Sequence, residues 1–339
     1  MVKTYHVAIA GATGAVGKEF LRLLEDRDFP VSSLKLLASS RSEGQVLRFR
    51  GEAHKVERLT ERSFEGCDIA FFSAGGARSK EFAPAAARAG AVVIDNSSAF
   101  RMDAQTPLVI PEINAEDLAD HHGIIANPNC STIILLMAVA PLHASWKVRR
   151  IVVSTYQAAS GAGAAAMREL VTQTEQVLQG KAPEPNVFPH PIAFNLFLHN
   201  STVGADGYNE EERKMIQETR KILHDDALRL TATCVRVPVL RAHSEAINVE
   251  FREAVPSPED ARRALAAFPG VRVVEDPAAN HFPMPIEASG GNDVLVGRIR
   301  RDLSNERALE MFVSGDQLLK GAALNGIQIA EELIRRGAL

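Results

Sequence analysis

Cysteine is scarce in this chain of 339 residues, which contains only 3 cysteines. Cys67, Cys130 and Cys234 form no CxxC pair, so neither a zinc knuckle nor a thioredoxin-like motif is expected. A small, odd number of cysteines also argues against a disulfide framework and for a reducing compartment. We therefore predict a cytoplasmic protein without a metal site.

Long apolar runs and a large net charge are also missing. No run of roughly 18 apolar residues is present, so no membrane span is expected, and residues 1–6 lead into a strand pattern without an apolar signal-peptide core. The net charge of −4 gives no reason to expect nucleic acid or an anionic membrane as a partner. The length and the 46% hydrophobic content fit two globular domains.

The first third of the sequence alternates short apolar strands with helices. This alternation predicts right-handed crossovers and a Rossmann-like, doubly wound parallel sheet. Strands are expected at residues 6–10, 34–38, 68–73 and 91–95, and helices at about 16–26 and 80–88.

The pattern changes after Asn129, where a long apolar helix at 131–143 precedes strands in which apolar and polar residues alternate. Alternation indicates a half-exposed sheet, so we predict a second, α+β domain with a mixed sheet. Its strands are expected at residues 151–156, 233–237, 246–251, 271–274 and 293–299. A capping box of Ser314 and Gln317 predicts a helix at 316–336 that returns to the first domain. The expected domains are residues 1–128 plus 315–339, and residues 129–314.

Glycines follow the first predicted strand and open the first helix. Gly11, Gly14 and Gly17 form a GxxGxxG variant of the dinucleotide fingerprint. Glycine lets the backbone approach a pyrophosphate, and the helix N-terminus supplies N–H donors. Cofactor binding is favoured over the alternative of an ordinary strand–helix turn, because the motif lies in the required strand–turn–helix context.

The end of the second strand distinguishes NAD from NADP. An NAD enzyme usually carries Asp or Glu there, whereas this chain has Ser39, Ser40 and Arg41. Arginine and hydroxyl groups suit a 2′-phosphate, which predicts NADP. The alternative is that Arg41 is a solvated loop residue, and Glu43 weakens the charge argument.

Cys130 lies in Asn127-Pro-Asn-Cys-Ser-Thr132, at the junction of the two predicted domains. Asn129 is a plausible N-cap, which would place Cys130 in the first helical turn, where a thiolate is stabilised and backbone N–H groups can receive an oxyanion. The alternative is a buried structural cysteine, which we expect of Cys67 and Cys234. A thiolate beside a nicotinamide would attack an aldehyde, pass through a thioester and release the product to an oxygen nucleophile.

The ordered motifs of the chain together resemble those of the aspartate-semialdehyde dehydrogenases. The resemblance runs from residue 7 to about residue 331. It rests on Gly11–Gly17, Asp95-Asn-Ser-Ser-Ala-Phe-Arg101, Asn127–Thr132, Thr155-Tyr-Gln-Ala-Ala-Ser-Gly-Ala-Gly163, His243-Ser-Glu-Ala246, Val296-Gly-Arg-Ile-Arg300 and Gly321-Ala-Ala-Leu-Asn-Gly-Ile-Gln-Ile-Ala-Glu331. Ala242 before the histidine and the segment Phe197–Asn200 depart from the family pattern.

The resemblance implies a role for each matching residue. Catalysis is assigned to Cys130 as nucleophile, His243 as acid/base and Gln157 as the residue that orients the substrate. Arg236 would bind the substrate α-carboxylate and Glu211 its ammonium group, while Arg101, Lys214 and Asn129 would line the phosphate pocket. The residues implied to contact the cofactor are Gly11, Thr13, Gly14, Ala15, Val16, Ser39, Ser40, Arg41, Ser160, Gly161 and Asn325.

Chemistry agrees with several of these implied roles. Histidine transfers protons near neutral pH, and an arginine in an apolar strand, as Arg236 is, needs a partner. Glu211 and Lys214 are three residues apart on a predicted helix and share a face, although alone they would be taken for a surface ion pair.

The implied reaction interconverts L-aspartate 4-semialdehyde and L-4-aspartyl phosphate with NADP, for lysine, threonine and methionine synthesis, in a homodimer formed through the second domain. N-acetyl-γ-glutamyl-phosphate reductase and malonyl-CoA reductase are the alternative enzymes. A non-catalytic NADP-binding sensor is the alternative from another class.

Overall fold

The computed structural model describes residues 3–339, so Met1 and Val2 of the predicted first domain lie outside the described residues. The chain divides into two compact units. The first unit runs to Asn129 and resumes at Ala322–Leu339, and the second unit is Cys130–Gly321.

Helices and strands occur in the following order along the chain. The elements up to Asn129 are β1 (Tyr5–Ala10), α1 (Ala15–Asp26), β2 (Val31–Ala38), β3 (Val46–Phe49), β4 (Glu52–Arg58), β5 (Ile69–Phe72), α2 (Gly76–Arg88), β6 (Val92–Asp95), α3 (Pro111–Asn114) and β7 (Ile124–Ala126). The later elements are α4 (Cys130–Trp146), β8 (Val148–Gln157), α5 (Ala164–Leu178), β9 (Phe197–Leu198), α6 (Glu210–Leu223), β10 (Arg229–Arg236), β11 (His243–Phe251), α7 (Pro258–Ala266), β12 (Val271–Val273), α8 (Pro285–Ala288), β13 (Val294–Arg301), β14 (Ala308–Gly315) and α9 (Leu324–Arg335).

The sheet of the first unit has seven strands in the order β3-β4-β2-β1-β5-β6-β7. All neighbours pair in parallel except β3 and β4, which form an antiparallel edge. Strand β1 is the central strand of this sheet. Five of its six residues are buried, as expected for a strand covered on both faces. The doubly wound parallel sheet is confirmed, and it carries an antiparallel edge pair that was not predicted.

The second unit also contains a seven-stranded sheet, in the order β12-β13-β14-β11-β8-β10-β9. Strand β8 pairs in parallel with β10 and antiparallel with β11, so the predicted mixed sheet is confirmed. Along β8, Ile151, Val153, Thr155 and Gln157 are buried, whereas Tyr156 on the other face is exposed. Helix α4 is buried from Ser131 to His143, because it is apolar on every side.

The helix predicted at residues 316–336 is wrong in its first part. Ser314 is the penultimate residue of β14, where its hydroxyl lies 2.7 Å from the Ser244 hydroxyl of the paired strand β11. A π-helical turn over Leu319–Ala323 follows, and α9 starts only at Leu324. The local capping-box pattern is overridden because Ser314 pairs within the sheet. Within residues 3–339, no helix has the length and apolarity to cross a membrane.

Candidate active site

The glycine loop of the first unit connects β1 to α1 in a form that only glycine allows. Gly11 has φ +90, and a Cβ there would lie 2.3 Å from the Ser73 carbonyl oxygen. A Cβ on Gly17 would lie 2.2 Å from the Gly11 carbonyl oxygen. Helix α1 begins after Gly14, and no side chain caps its N-terminus. The first N–H groups of a helix have no intrahelical partner, so the loop fits the phosphates of a dinucleotide.

The loop after β2 lies beside the glycine loop. The Thr13 hydroxyl donates to the Ser42 hydroxyl at 3.2 Å, which joins the two loops. Ser40 and Arg41 are exposed, and Ser39 is half-buried. The side chain of Arg41 is therefore accessible to an anion from solvent.

Three other predicted site residues of the first unit are buried. Arg101 donates from Nε to the Asn127 carbonyl and from Nη2 to the Asn96 carbonyl, both at 2.9 Å. Asn325 donates from its amide nitrogen to the Val109 carbonyl at 2.9 Å. Asn129, the last residue of the unit before Cys130, is also buried. These contacts fix Arg101 and Asn325 within the first unit.

Cys130 is the first residue of α4, as predicted, and it is partly exposed. Cys67 and Cys234 are buried, and burial raises the pKa of both thiols. Gly321 lies against Cys130, because a Cβ on Gly321 would be only 3.0 Å from the Cys130 Cβ. Only Cys130 thus combines partial exposure with a position at a helix N-terminus, which is the setting of a reactive thiol.

Three strand ends of the second sheet meet at one edge. Strands β8 and β10 are parallel, so Gln157 and Arg236 at their carboxyl ends are partners in the register. Strand β11 runs antiparallel to β8, which brings His243, its first residue, to the same edge. Three predicted site residues that are distant in sequence therefore lie together.

Gln157 connects α4 to α6. Its Nε2 donates to the Ser131 hydroxyl at 3.2 Å and to Glu211 Oε1 at 3.1 Å. Glu211 also accepts from Lys214 Nζ at 3.1 Å, so these two residues share a helix face as predicted. Glu211 is buried and Lys214 is partly exposed, so the pair differs from a fully solvated surface ion pair.

Ala158 anchors both Arg236 and His243. Arg236 Nη1 donates to the Ala158 carbonyl at 2.8 Å, and the Ala158 N–H donates to His243 Nδ1 at 3.0 Å. Gly161 contacts the same two side chains, since a Cβ there would lie 3.1 Å from Arg236 Nη1 and 3.0 Å from His243 Cε1. The neighbouring Ser160 hydroxyl is buried and accepts from Gln317 Nε2.

The environment of His243 keeps its imidazole neutral. Burial, followed by the positive charge of Arg236, lowers the pKa of His243 to about 3. Because Nδ1 accepts the Ala158 N–H, the proton of the neutral ring is assigned to Nε2. Burial also lowers the pKa of Arg236, while the charges of Glu211 and of a Cys130 thiolate raise it.

Sequence reasoning missed His199, which lies in the segment Phe197–Asn200 that departs from the family pattern. Its Nδ1 lies 3.1 Å from the Ser201 hydroxyl, and that hydroxyl accepts the Glu211 N–H at 3.2 Å. Burial lowers the pKa of His199 to about 4, with further influences from Glu211 and Arg236. No motif signals this residue, since it reaches the site from the loop after β9.

The predicted site residues fall into two sets, one in each unit. The first unit holds Gly11, Thr13, Gly14, Ala15, Val16, Ser39, Ser40, Arg41, Arg101, Asn129 and Asn325. The second unit holds Cys130, Gln157, Ser160, Gly161, Glu211, Lys214, Arg236 and His243. Within residues 3–339, no group of three or more His, Cys, Asp or Glu residues could hold a metal ion.

Two family models match the chain. Residues 6–121 match the semialdehyde dehydrogenase NAD binding domain, and residues 139–320 match the semialdehyde dehydrogenase dimerisation domain. The fold and these two matches define an oxidoreductase of the semialdehyde dehydrogenase class with a nicotinamide-cofactor domain.

Sequence and structure similarity to individual proteins narrows the class to one family. Aspartate-semialdehyde dehydrogenase of Synechocystis sp. is 56% identical over the whole of both chains, and that of Aquifex aeolicus is 53% identical over 99% of each. The crystal structure of aspartate semialdehyde dehydrogenase II from Vibrio cholerae has a TM-score of 0.95 at 45% identity, covering 98% of this chain and 99% of that one. The chain belongs to the aspartate-semialdehyde dehydrogenase family.

Proposed function

We propose that the chain catalyses the reversible reaction of L-aspartate 4-semialdehyde, phosphate and NADP⁺ to L-4-aspartyl phosphate and NADPH, through a thioester on Cys130. The meeting of Gln157, Arg236 and His243 at one sheet edge, with Glu211 bonded to Gln157, carries this proposal. In its reductive direction the reaction serves lysine, threonine and methionine biosynthesis. Family membership favours it over N-acetyl-γ-glutamyl-phosphate and malonyl-CoA reduction.

Cys130 is proposed to attack the aldehyde carbon. The C–S bond forms as the carbonyl oxygen gains the electron pair, and N–H groups at the start of α4 can stabilise that oxygen. The thiohemiacetal would become a thioester when its carbon gives up a hydride, for which NADP⁺ would be the acceptor, and its oxygen gives up a proton to the acid/base. A phosphate oxygen then attacks the thioester carbon, the C–S bond breaks, and the Cys130 thiolate leaves, which yields the acyl phosphate.

His243 is proposed as the acid/base. In the described geometry its Nε2–H can donate a hydrogen bond to the substrate oxygen. Accepting a proton at Nε2 requires the other tautomer, in which Nδ1 releases the Ala158 N–H. Gln157 holds Ser131, the residue after the nucleophile, and so supports the start of α4.

Substrate binding is assigned to the charged groups around these residues. Arg236 presents a guanidinium suited to the α-carboxylate, and the buried carboxylate of Glu211 suits the ammonium group. Lys214 is proposed to bind phosphate, and the same role is proposed for Arg101 and Asn129 of the first unit. An amino-acid substrate is favoured because Glu211 would repel a purely anionic one.

NADP is the proposed cofactor, and it supplies a hydride acceptor and donor when it is bound. The glycine loop Gly11–Gly17, including Thr13, Ala15 and Val16, would hold its pyrophosphate. The 2′-phosphate would lie at Ser39, Ser40 and Arg41. Ser160, Gly161 and Asn325 complete the proposed set. The proposed NADP-binding domain is residues 1–128 plus 315–339, and the catalytic and dimerisation domain is residues 129–314.

We also propose a cytoplasmic homodimer joined through the open face of the second sheet. A cavity of about 450 Å³ on this face is lined by Val152, Phe282 and Phe312 among others. Tyr156 is exposed beside it, with its ring 6.0 Å from that of Phe312. Exposed aromatic surface on a sheet is typical of a face covered by another chain. Light scattering would test this, since a monomer at micromolar concentration contradicts it.

The first experiment follows NADPH formation by absorbance with L-aspartate 4-semialdehyde, with and without phosphate. The wild type should give a phosphate-dependent signal. Cys67→Ala is the control and should give the same signal, because Cys67 lies in the apolar core of the first unit and has no proposed role in the reaction. Cys130→Ala should give none. Each variant is first checked by thermal unfolding.

Either of two outcomes would contradict this proposal. Turnover by Cys130→Ala would exclude the thioester route and favour a role other than thiol catalysis. A folded wild type without any signal would exclude the substrate, and N-acetyl-glutamate semialdehyde, then malonate semialdehyde with CoA, would be tried next. Substituting NAD for NADP in the same assay tests the cofactor.

A further inference from the structure

Arg236 is almost fully buried but has few hydrogen bonds to hold it. It is 3% exposed, and its Nη1 donates to the Ala158 carbonyl. Its Nε–H has no hydrogen-bond partner in the part of the chain that the structure describes. A buried guanidinium with an unpaired N–H is costly, so a further contact is needed to offset part of that cost.

An aromatic ring provides that contact. The guanidinium carbon of Arg236 lies 5.4 Å from the centre of the Phe188 ring, within the range of a cation–π interaction. Phe188 is 4% exposed, and its ring meets that of Phe197 edge-on at 5.6 Å. Phe197 is the register partner of Arg236 between β9 and β10. The guanidinium and both rings therefore form one packed group.

The loop that carries Phe188 is held by buried polar side chains of α5. The Glu169 carboxylate accepts the N–H groups of Asn186, Val187 and Phe188. Gln173 accepts the N–H of Ile192 at 2.8 Å and donates to the Glu184 carbonyl at 3.0 Å. Both side chains thus fix the backbone on either side of the ring. A loop clamped in this way presents Phe188 in one position.

We propose that Phe188 is a positioning residue that holds the Arg236 guanidinium in the orientation that binds the substrate carboxylate. This inference rests on the proposed function of Arg236. The ring compensates part of the desolvation of the cation without occupying the N–H groups that a carboxylate would need. Phe188 acts through Arg236 and has no part in the reaction at Cys130.

The test compares Phe188→Leu, which keeps an apolar side chain but removes the ring, with Phe188→Tyr, which keeps it. Phe188→Leu should raise KM for L-aspartate 4-semialdehyde about tenfold, equivalent to about 1.4 kcal/mol, with kcat within about twofold and KM for NADP unchanged. Phe188→Tyr should restore the wild-type KM. Leu170→Val is the matched control, because Leu170 belongs to the same apolar cluster as Phe188.

A second measurement does not depend on turnover. Phenylglyoxal labelling of Arg236, followed by mass spectrometry of its peptide, should be faster in Phe188→Leu than in the wild type, Phe188→Tyr and Leu170→Val. Equal labelling and equal KM in all four proteins would overturn the inference, as would an equal effect of Leu170→Val. A wild type that is inactive on the semialdehyde would refute the proposed function, and the labelling rates would still decide whether Phe188 holds Arg236.

Discussion

Gly161→Ala is a small change that should remove most of the activity. The added Cβ would lie 3.0 Å from His243 Cε1 and 3.1 Å from both His243 Nε2 and Arg236 Nη1. Ordinary carbon contacts lie at roughly 3.5–4.0 Å. Either the methyl group or the two side chains must therefore move by about half an ångström.

Neither side chain can move without losing a bond. The backbone of Ala158 holds His243 through its N–H at 3.0 Å and Arg236 through its carbonyl at 2.8 Å. Because a displacement of about 1 Å at a reacting group can cost 10²-fold in rate, we expect kcat/KM to fall about 10- to 100-fold. That corresponds to about 1.4–2.7 kcal/mol of transition-state stabilisation.

Initial rates of NADPH formation would measure the loss, together with the melting temperature. Gly291→Ala is the control, because a Cβ there meets only backbone around Ala288, the nearest atom at 3.3 Å, and it should leave kcat/KM unchanged. Full activity in Gly161→Ala would refute the tight packing of His243 and Arg236. A loss explained by unfolding alone would refute the positional argument.

Burial and charge also determine how stability and cofactor binding respond to pH and to substitution. The pKa of His243 is lowered to about 3, so the unfolded chain binds a proton near pH 6.5 that the folded chain does not. Between pH 6.5 and 5, the free energy of unfolding in urea should therefore fall by about 2 kcal/mol more for the wild type than for His243→Gln. Equal decreases in the two proteins would contradict this. Burial raises the pKa of Glu245 well above its usual range, and neither carboxylate oxygen has a hydrogen-bond partner within residues 3–339. The folded chain therefore keeps a proton that the unfolded chain loses above about pH 4.5. From pH 5 to 8, the free energy of unfolding of Glu245→Gln should rise relative to that of the wild type. If the difference between the two proteins stayed constant over this range, Glu245 would ionise normally. Arg41→Ala should raise KM for NADP roughly tenfold and leave KM for NAD unchanged, and a parallel rise in both would refute its contact with the 2′-phosphate.

Features set by local sequence could be predicted. The glycine loop, the strands around it and the start of α4 at Cys130 each depend on residues next to one another in the chain. A helix N-terminus directly after Asn129 could be placed because an apolar helix follows Pro128 and Asn129. The charged pair Glu211–Lys214 could be placed on one face because helical spacing fixes it.

Features set by strand pairing could not be predicted in the same way. Ser314 and Gln317 have the spacing of a capping box, but Ser314 pairs with Ser244 because β14 joins the sheet. The short edge strand β3 was missed, since Val46 and Arg48 are exposed and its apolar pattern is weak. In both cases tertiary pairing decides between local patterns of similar strength.

The chemistry of the site depends most on such non-local contacts. Histidine at position 243 implies an acid/base, but the N–H of Ala158, 85 residues away in sequence, decides which ring nitrogen carries the proton. Arginine at position 236 implies an anion, but Phe188, from a loop without any motif, fixes its plane. Residue type therefore indicates what a group can do, and burial and partners select which of those states the folded chain holds. This explains why the motif residues alone predict the reaction class, whereas His199 and Phe188 become visible only when β9, β10 and α5 are folded together.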